Sequence, residues 1–485
     1  MRKIISIIIL LLFTAININA KTITVTSSAD TGTGTLRQAI TGANNGDIIV
    51  FDNNITSIHF AGIITIDKNI TISGNETNNT VCQNAAIWTD TRPQRKRYFE
   101  ILANAEVTFN HLTLQDNKSN CSGGAITNYS KLTLNNCTFS NNRALDYGGA
   151  IYTMPGSTLK VNNCIFTKNY APSSGGAIMN NGDLSINNAV FSENYGNNAG
   201  AIYTSNTCVI ENCIFSNNSA VYDSAISNYS DLQVINSIFR ENKSTENATI
   251  DNNKNTTIKN TLFIQNKVAD SLNPERGIIT NSLSYTVSAT TIINSTIVNN
   301  YGGHGIYISR NNSLSIYNSI IFNNAKNDIH HLLGNLVLQN SLIGTSNIDL
   351  TGNNNIIGED PLFAGYDDYS LQKNSPAIDK GNNVHIAGIT TDLLGNQRIS
   401  NGTVDIGAHE YQANTSAIPP TSATALKIYP QHHNIIIENT TETIQVYNIA
   451  GQCVAQGTGA GSYNVSQAGI YIVRVGSEAR KVIVP

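Results

Sequence analysis

A phenylalanine followed three residues later by an asparagine recurs about every 24 residues through the middle of this 485-residue chain. Between its copies lies a second motif, Gly-Gly-Ala-Ile, which starts at Gly123, Gly148 and Gly175 and decays to Ala199-Gly-Ala-Ile and Asp223-Ser-Ala-Ile in the same register. A repeat of this length is typical of solenoids, in which each repeat packs only against its neighbours. The period therefore restricts the fold more than any other feature of the sequence.

Each repeat consists of short alternating runs separated by polar turns, as in Lys131-Leu-Thr-Leu134 and Leu184-Ser-Ile186. Alternation of apolar and polar residues, punctuated by Asn and Gly, indicates strands and turns. At roughly 3.3 Å per strand residue, about 24 residues make one circuit of three short strands, and circuits stack at roughly 4.8 Å. We predict an all-β protein, with a parallel β-helix of about ten or more coils over residues 21–345. A cap starts it, and a small C-terminal β-sandwich follows it.

The repeat assigns residues to columns that stack from coil to coil. Its phenylalanines form an inward, buried column, and the asparagines that precede a small residue form a ladder of hydrogen-bonded amides. The Gly pair fits a bend where a Cβ would clash or where φ must be positive. The predicted structural residues are Phe139, Phe166, Phe191, Phe215, Phe239 and Phe263, together with Asn136, Asn163, Asn188, Asn212, Asn236 and Asn260.

The first 20 residues have the three parts of a secretory signal peptide: a basic start, an apolar run from Ile4 to Phe13 and a small residue at Ala20. The mature protein is expected to begin near Lys21. Since no later run approaches about 20 apolar residues, we predict no transmembrane segment in the mature chain. Charged residues make up 13% of the chain and the net charge is -4, which argues against a nucleic-acid partner.

Seven cysteines in an exported chain raise the question of disulfide bonds. Cys137, Cys164 and Cys213 occupy one column with small residues of other repeats, so they are interpreted as small buried groups. Cys82 and Cys121 could pair, and the sequence leaves this open.

Two insertions interrupt the period, and long loops on a regular scaffold often carry function. Residues 75–98 hold Trp88 and the basic residues Arg92, Arg95 and Arg97, and the interval 260–294 is about ten residues longer than its neighbours. Both are binding candidates, with tolerated insertion as the alternative.

Tyrosines at repeating positions are further binding candidates. Tyr170 and Tyr195 follow the motif Asn in adjacent coils, and Tyr152 and Tyr203 follow the Ala-Ile in coils two apart. Aromatic columns could hold sugar rings or the apolar side chains of a partner. Stacking that only stabilises the solenoid is the alternative.

Catalysis has weaker candidates. Cleavage of a glycosidic bond needs two carboxylates about 5 to 10 Å apart. Glu193 and Glu241 lie in one column two coils apart, at roughly 10 Å by the coil spacing. A solvated outer column is the alternative to a catalytic pair, and we predict no catalytic residue.

The alternation of Gly-Gly-Ala-Ile with Phe-x-x-Asn over roughly residues 111–266 resembles the passenger repeats of chlamydial polymorphic membrane proteins. That resemblance implies a right-handed β-helix displayed on a cell surface, commonly as an adhesin.

Residues 346–411 resemble the choice-of-anchor Q domain in the strings around Asp360-Pro-Leu-Phe, Asp379, Asp392 and Asp405. Such domains close the β-helices of bacterial surface proteins. From the residues themselves, the carboxylates and Arg398 can fix the cap by ion pairing, and a metal site is the alternative. The weak metal candidates are Asp379, Asp392, Asp405 and Glu410.

Residues 412–424 are a linker rich in Pro, Ser and Thr, and residues 425–485 resemble the C-terminal sorting domain of type IX secretion substrates of the Bacteroidetes. The resemblance implies that residues 425–485 bind the type IX secretion machinery. It also implies a protein at the cell surface, attached to the outer membrane, or released. The matching blocks are Leu426-Lys-Ile-Tyr-Pro430, Val446-Tyr-Asn-Ile-Ala-Gly451, Ala468-Gly-Ile-Tyr-Ile-Val473 and Lys481-Val-Ile-Val484.

The sequence favours an adhesin-like surface protein that binds a glycan or a protein partner without catalysis. A carbohydrate-active enzyme, either a polysaccharide lyase or a glycoside hydrolase, is the alternative by analogy with other secreted β-helices. A structural spacer is the third reading. No cofactor is predicted.

Overall fold

The computed structural model describes residues 20–76, 79–84, 97–269, 276–281, 287–365, 368–386, 388–412, 427–431, 434–448, 453–465, 469–476 and 478–484. Trp88, Arg92 and Arg95 lie outside these residues. Arg97 is described, and its Nη1 lies 3.2 Å from a carboxylate oxygen of Glu100.

Residues 22–357 form a right-handed parallel β-helix, which confirms the predicted fold class. Apart from the first and last coils, each coil contributes one strand to each of three sheets, and the strands pair in parallel with those of adjacent coils. Sheet 1 consists of Thr22–Val25, Ile48–Phe51, Ile70–Ser73, Glu106–Asn110, Lys131–Asn135, Thr158–Asn162, Asp183–Asn187, Cys208–Glu211, Asp231–Ile235, Asn255–Lys259, Ala289–Ile293, Asn312–Tyr317 and Gly334–Gln339.

Sheets 2 and 3 follow in each coil. Sheet 2 consists of Ser57–Phe60, Thr80–Asn84, Leu112–Gln115, Thr138–Ser140, Ile165–Thr167, Val190–Ser192, Ile214–Ser216, Ile238–Arg240, Leu262–Ile264, Thr296–Val298, Ile320–Phe322, Leu342–Ile343 and Ile356–Ile357. Sheet 3 consists of Ile64–Ile66, Phe99–Ile101, Ile126–Asn128, Ile151–Thr153, Ile178–Asn180, Ile202–Thr204, Asp223–Asn228, Ala248–Asn252, Gly277–Asn281, His304–Ile308 and Ile329–His331. Between sheets 2 and 3 runs a minor ladder of Tyr170–Ala171, Tyr195–Gly196, Ser219–Ala220, Lys243–Ser244 and Lys267–Val268.

A short helix, Leu36–Gly42, lies against the first two strands of sheet 1. The hydroxyl of Thr35 accepts the N–H of Gln38 and so caps the helix. Leu36 and Ile40 are buried in the core of the first coils. The helix therefore covers apolar surface at the start of the β-helix.

The phenylalanine column lies inside the coils, where all six rings are fully buried. Neighbouring rings stack with centroids 4.6 to 4.8 Å apart and planes within 7° of parallel. The same column continues in register to Leu114, Cys82 and Ile58 on the N-terminal side. Cys82 is thus a buried core residue with a free thiol, and Cys121 is also free.

The asparagines at the corner between sheets 1 and 2 have φ between 47° and 57° from Asn136 to Asn340. Asn tolerates this left-handed conformation better than other residues with a side chain. Side-chain amides bond between coils, for example Asn188 to Asn163 at 2.7 Å and Asn260 to Asn236 at 2.7 Å. The corner therefore needs Asn for its backbone as well as for the predicted ladder.

A second amide ladder lies deeper and is formed by the asparagines of the Phe-x-x-Asn repeat, for which the sequence predicted no role. The backbone N–H of Asn117 donates to the Oδ1 of Asn142 at 3.3 Å. From Asn142 the ladder continues through the asparagine three residues after each phenylalanine, or after Ile297 and Ile321 in the last coils, to Asn324. Each Nδ2 donates to the Oδ1 of the next member at 2.8 to 3.1 Å. Asp328 ends it by accepting the N–H and the Nδ2 of Asn324. Burial raises the pKa of Asp328.

The segment 346–411, expected to close the C-terminal end, has two roles. Leu350 lies in the core of the last coils and fills that end. Residues 360–411 instead pack along the side of the β-helix, where Leu371, Leu393 and Ile406 cover outward residues of sheet 2 such as Ile320. The expected end cap is therefore mostly a flank, because sheet 2 has an apolar outer face that requires cover.

Residues 427–484 form a separate β unit with its own hydrophobic cluster. All pairings within it are antiparallel, as the predicted β-sandwich requires. Within the described residues, no helix is long and apolar enough to cross a membrane. The two sheets are Lys427–Gln431, Asn434–Glu438 and Gly461–Asn464, and Thr443–Asn448, Cys453–Thr458, Gly469–Val475 and Glu478–Val484.

Candidate functional site

The outward residues of sheet 3 form a continuous column along the β-helix axis. Successive members are in register, so they repeat at the coil spacing of roughly 4.8 Å. We call this surface the sheet 3 face. Its members are Thr65, Glu100, Thr127, Tyr152, Met179, Tyr203, Ser227, Asp251, Thr280, Tyr307 and His330. Of these, Thr127, Ser227, Asp251, Thr280 and Tyr307 are buried.

At the middle of this face the repeat departs from its pattern. Asp223 stands where earlier coils have the first glycine of the Gly pair, and it bridges to Ala199 of the preceding coil. The strand Asp223–Asn228 replaces the glycine bend, and its register with Ala248–Asn252 shifts between Asp223 and Ile226. Irregularities of this kind re-aim side chains and are frequent next to active sites.

Two carboxylates are brought together by this irregularity. Asp223 is 3% exposed and accepts the Nδ2 of Asn247 at 2.8 Å. Asp251, on the neighbouring strand, is 5% exposed and accepts the Nδ2 of Asn253 at 2.8 Å. Burial, and then the negative charge of Asp251, raises the pKa of Asp223 well above its usual range. Ser227 lies between them in sequence and donates to Asp223.

Two tyrosines adjoin the carboxylates, Tyr203 in the preceding coil and Tyr229 in the coil of Asp223. The rings of Tyr203 and Tyr229 stack with centroids 5.2 Å apart and planes 27° apart. Tyr229 is 48% exposed, so this pair presents aromatic surface to solvent. Burial and the neighbouring Tyr203, Asp251 and Asp223 raise the pKa of Tyr229 to about 12, so its hydroxyl stays protonated and can donate.

A second aromatic pair lies further along the same side. Tyr147 and Tyr152 stack with centroids 6.4 Å apart, and Tyr147 is 40% exposed. Tyr152 belongs to the sheet 3 face itself and lies two coils before Tyr203. Aromatic surface thus flanks the carboxylates over several coils.

The predicted candidates Tyr170 and Tyr195 lie elsewhere, on the minor ladder. Their rings stack with centroids 5.2 Å apart and planes 10° apart. The guanidinium of Arg143 lies 4.3 Å from the centroid of Tyr170 and covers its other side. This arrangement supports the alternative of solenoid stabilisation for these two tyrosines.

The predicted carboxylates Glu193 and Glu241 lie at the corner after sheet 2, not on the sheet 3 face. Each has a left-handed backbone, with φ of 55° and 53°. Glu193 lies 3.8 Å from Lys168, and Glu241 lies 3.3 Å from Arg240. They are members of an outer corner column.

The metal candidates of the flank segment form a network around Arg398, which is 1% exposed. Asp405 accepts the N–H of Asp379, Glu410 accepts the N–H of Asp405, and Asp392 accepts the N–H of Glu410. Burial raises the pKa of Asp405 to about 6 and that of Glu410 to about 7. Among the described residues, no group of three or more His, Cys, Asp or Glu side chains could hold a metal ion. The network ties together the turns of this segment.

The site residues that sequence reasoning missed are Asp223, Asp251 and Tyr229. The signal for Asp223 was its place in the decayed Gly-Gly-Ala-Ile motif. Asp251 falls in the outward column of sheet 3, which becomes visible only when the strand register is known. Tyr229 follows the strand end, where no repeated motif marks it.

A family model supports the fold. A family described as "Right handed beta helix region" matches residues 38–205. No curated protein matches the chain. Among solved structures, an alginate lyase is similar at 13% identity and TM-score 0.40, over 64% of this chain and 82% of that chain. A pectate lyase is similar at 14% identity and TM-score 0.36, over 82% of this chain and 98% of that chain.

Proposed function

We propose that this chain is an exported cell-surface protein that binds a neutral glycan along the sheet 3 face. The observation that carries the proposal is the stacked pair of half-buried Tyr203 and exposed Tyr229, beside the buried carboxyls of Asp223 and Asp251. Aromatic rings offer an apolar surface to the C–H face of a sugar ring, and the protonated hydroxyl of Tyr229 can donate a hydrogen bond to a sugar oxygen.

The charge of the site selects the kind of glycan. The negative charge of Asp251 makes this part of the face acidic and raises the pKa of Asp223, and the nearby Arg276 is engaged with Glu246 at 3.0 Å. A uronate or sulfated sugar would bring further negative charge beside Asp251. A neutral polysaccharide avoids this repulsion.

Export and display rest on the two ends of the sequence. The signal-peptide pattern of residues 1–20 supports secretion, and the sorting-domain resemblance of residues 425–485 supports a type IX route to the cell surface.

Deleting residues 425–485 should then remove the protein from the cell surface, as surface labelling of intact cells would show. Unchanged display would contradict this route.

Retention on immobilised polysaccharides tests the binding proposal. We expect the full chain to be retained by at least one neutral polysaccharide, such as a glucan, mannan or xylan, and to pass through alginate and pectate columns. Retention only by the acidic polymers would contradict the charge argument, and retention by none would contradict the proposal.

Hydrolysis of the bound glycan is a second candidate, favoured by the raised pKa of Asp223 beside Asp251. A protonated carboxyl can give its proton to the leaving oxygen while a second carboxylate takes a proton from the attacking water. Asp223→Asn and Asp251→Asn are each expected to lower chain shortening by at least about 100-fold, the usual worth of a positioned acid or base.

The control for hydrolysis is Glu193→Gln, which alters a corner carboxylate and should leave the rate unchanged. Because Asp223 must be protonated to act as the acid, the rate is expected to fall as pH rises through its raised pKa. Retention without any chain shortening would leave binding as the function and remove hydrolysis.

A further inference from the structure

Three asparagines of the chain are followed directly by glycine: Asn45, Asn181 and Asn401. An asparagine before glycine is chemically labile in water, because the backbone nitrogen of the glycine can attack the side-chain carbonyl carbon. Glycine has no Cβ that would hinder this attack. The three pairs share the same chemistry, and they differ in how the fold holds the reacting groups.

The fold restrains the first two pairs by hydrogen bonds. The Oδ1 of Asn45 accepts the N–H of Asn69 at 2.8 Å, and the N–H of the glycine after Asn45 donates to the carbonyl of Asn69 at 2.7 Å. The Oδ1 of Asn181 accepts the hydroxyl of Ser205 at 2.8 Å, and its Nδ2 donates to the carbonyl of Thr153 at 3.2 Å. These amides reach the next nitrogen only after the bonds have opened.

The third pair lies in the flank segment and has no such restraint. Asn401 and Gly402 are both exposed. Within the part of the chain that the structure describes, neither the side chain of Asn401 nor the backbone N–H of Gly402 makes a hydrogen bond. Gly402 has φ of 91°, and a Cβ added there would meet no atom within 4 Å. The amide of Asn401 is therefore free to rotate, and water has access to it.

The main chain is fixed on both sides of this free pair. The N–H of Ser400 donates to Oε1 of Glu410 at 2.9 Å, and the carbonyl of Gly402 accepts the Nδ2 of Asn383 at 2.8 Å. Glu410 also accepts the N–H of Asp405 at 3.0 Å. Any change in the length of the main chain between these fixed points is therefore transmitted to the buried network of the flank segment.

We propose that Asn401 is a site of spontaneous deamidation, which changes the charge and the main-chain length of this loop with time. The backbone nitrogen of Gly402 loses its proton and bonds to Cγ of Asn401, and the side-chain nitrogen leaves as ammonia. Water then opens the cyclic succinimide at either carbonyl and yields aspartate or isoaspartate. Both products add a negative charge near the carboxyls of Asp405 and Glu410, and isoaspartate adds a carbon to the main chain.

Incubation of the folded full chain in mildly alkaline buffer made with heavy-oxygen water, followed by peptide mass spectrometry, tests the proposal. We expect Asn401 to gain the label at least about tenfold faster than Asn45 and Asn181, which must first open locally. The rate should rise with pH, because the attacking nitrogen must lose its proton. Asn401→Gln, whose longer side chain disfavours the succinimide, should abolish labelling there and leave the other two sites unchanged.

The same measurement in urea separates the effect of the fold from that of the local sequence. In the unfolded chain, the three asparagines should convert at similar rates. Hydrogen exchange of residues 392–411 should become faster after conversion, and it should stay unchanged in equally treated Asn401→Gln. The proposal is overturned if Asn401 converts no faster than Asn45 and Asn181 in the folded chain, if the difference persists in urea, or if conversion leaves hydrogen exchange unchanged.

Discussion

Replacing Asn218 by leucine is expected to lower the free energy of unfolding by about 3–6 kcal/mol, at roughly 1–3 kcal/mol for each buried group left without a partner. Asn218 donates to the carbonyl of Phe191 and to Oδ1 of Asn242, at 2.8 and 2.9 Å. Its own Oδ1 accepts both the backbone N–H and the Nδ2 of Asn194. Leucine fits the volume and can replace none of these bonds.

Urea unfolding followed by circular dichroism measures this effect. The matched control is Asn335→Leu, because Asn335 is exposed on a strand of sheet 1. The free energy of unfolding of this variant should change by no more than about 0.5 kcal/mol. Equal shifts for the two variants would show that the buried amide ladder contributes no more than a surface asparagine.

Gly149→Val is expected to cost more than about 4 kcal/mol, which is in the range of the most damaging single substitutions. A Cβ at Gly149 would lie 2.0 Å from the carbonyl oxygen of Gly176 and 2.6 Å from the backbone nitrogen of Tyr170. Both are backbone atoms of the next coil, so two coils would have to separate. The preceding Gly148 has φ of 62°. Gly148 is therefore required by its left-handed backbone, and Gly149 by the close approach of the next coil.

The comparison for this prediction is Gly62→Val, where an added Cβ meets no atom within 4 Å. Melting temperature and soluble yield of the two variants are the measurements. We expect Gly62→Val to remain close to the original protein and Gly149→Val to be strongly destabilised. Similar melting temperatures would contradict the close approach of successive coils at Gly149.

The scaffold was predictable because its determinants repeat. Phe139 and its successors recur in one register, and that register alone predicts an inward stack. The buried ladder from Asn142 was equally regular and was overlooked, since both asparagines of each repeat recur with the same period. The sequence does not show which of them faces inward.

One sequence feature relates to the packing of residues 360–411 against the side of the β-helix. The residue before each phenylalanine points outward, and it changes from Thr138 to Val190, Ile214 and Ile238 along the chain. Outward apolar residues require cover, but a one-dimensional pattern does not tell which later segment supplies it. The contact joins parts of the chain more than 100 residues apart.

The candidate site was harder to predict, because it is made of exceptions to the repeat. Asp223 and Asp251 become neighbours through the irregular pairing of two strands, not through their spacing in the sequence. Glu193 and Glu241 occupy equal positions of the unbroken period, and they therefore lie in an outer corner column instead of in the site. Where the repeat is broken, side chains no longer stack on equivalent residues of the neighbouring coils.

The most direct test of the central claim is to measure the binding constant for the neutral polysaccharide with the original chain and with a variant that lacks the tyrosine pair. Tyr203→Ala with Tyr229→Ala is expected to weaken binding at least about tenfold, since each aromatic stacking surface lost is worth roughly 1 kcal/mol. Tyr195→Ala, which removes a stacked ring from the minor ladder, should leave the constant unchanged. Equal affinity of the Tyr203/Tyr229 variant and the original chain would contradict glycan binding on the sheet 3 face.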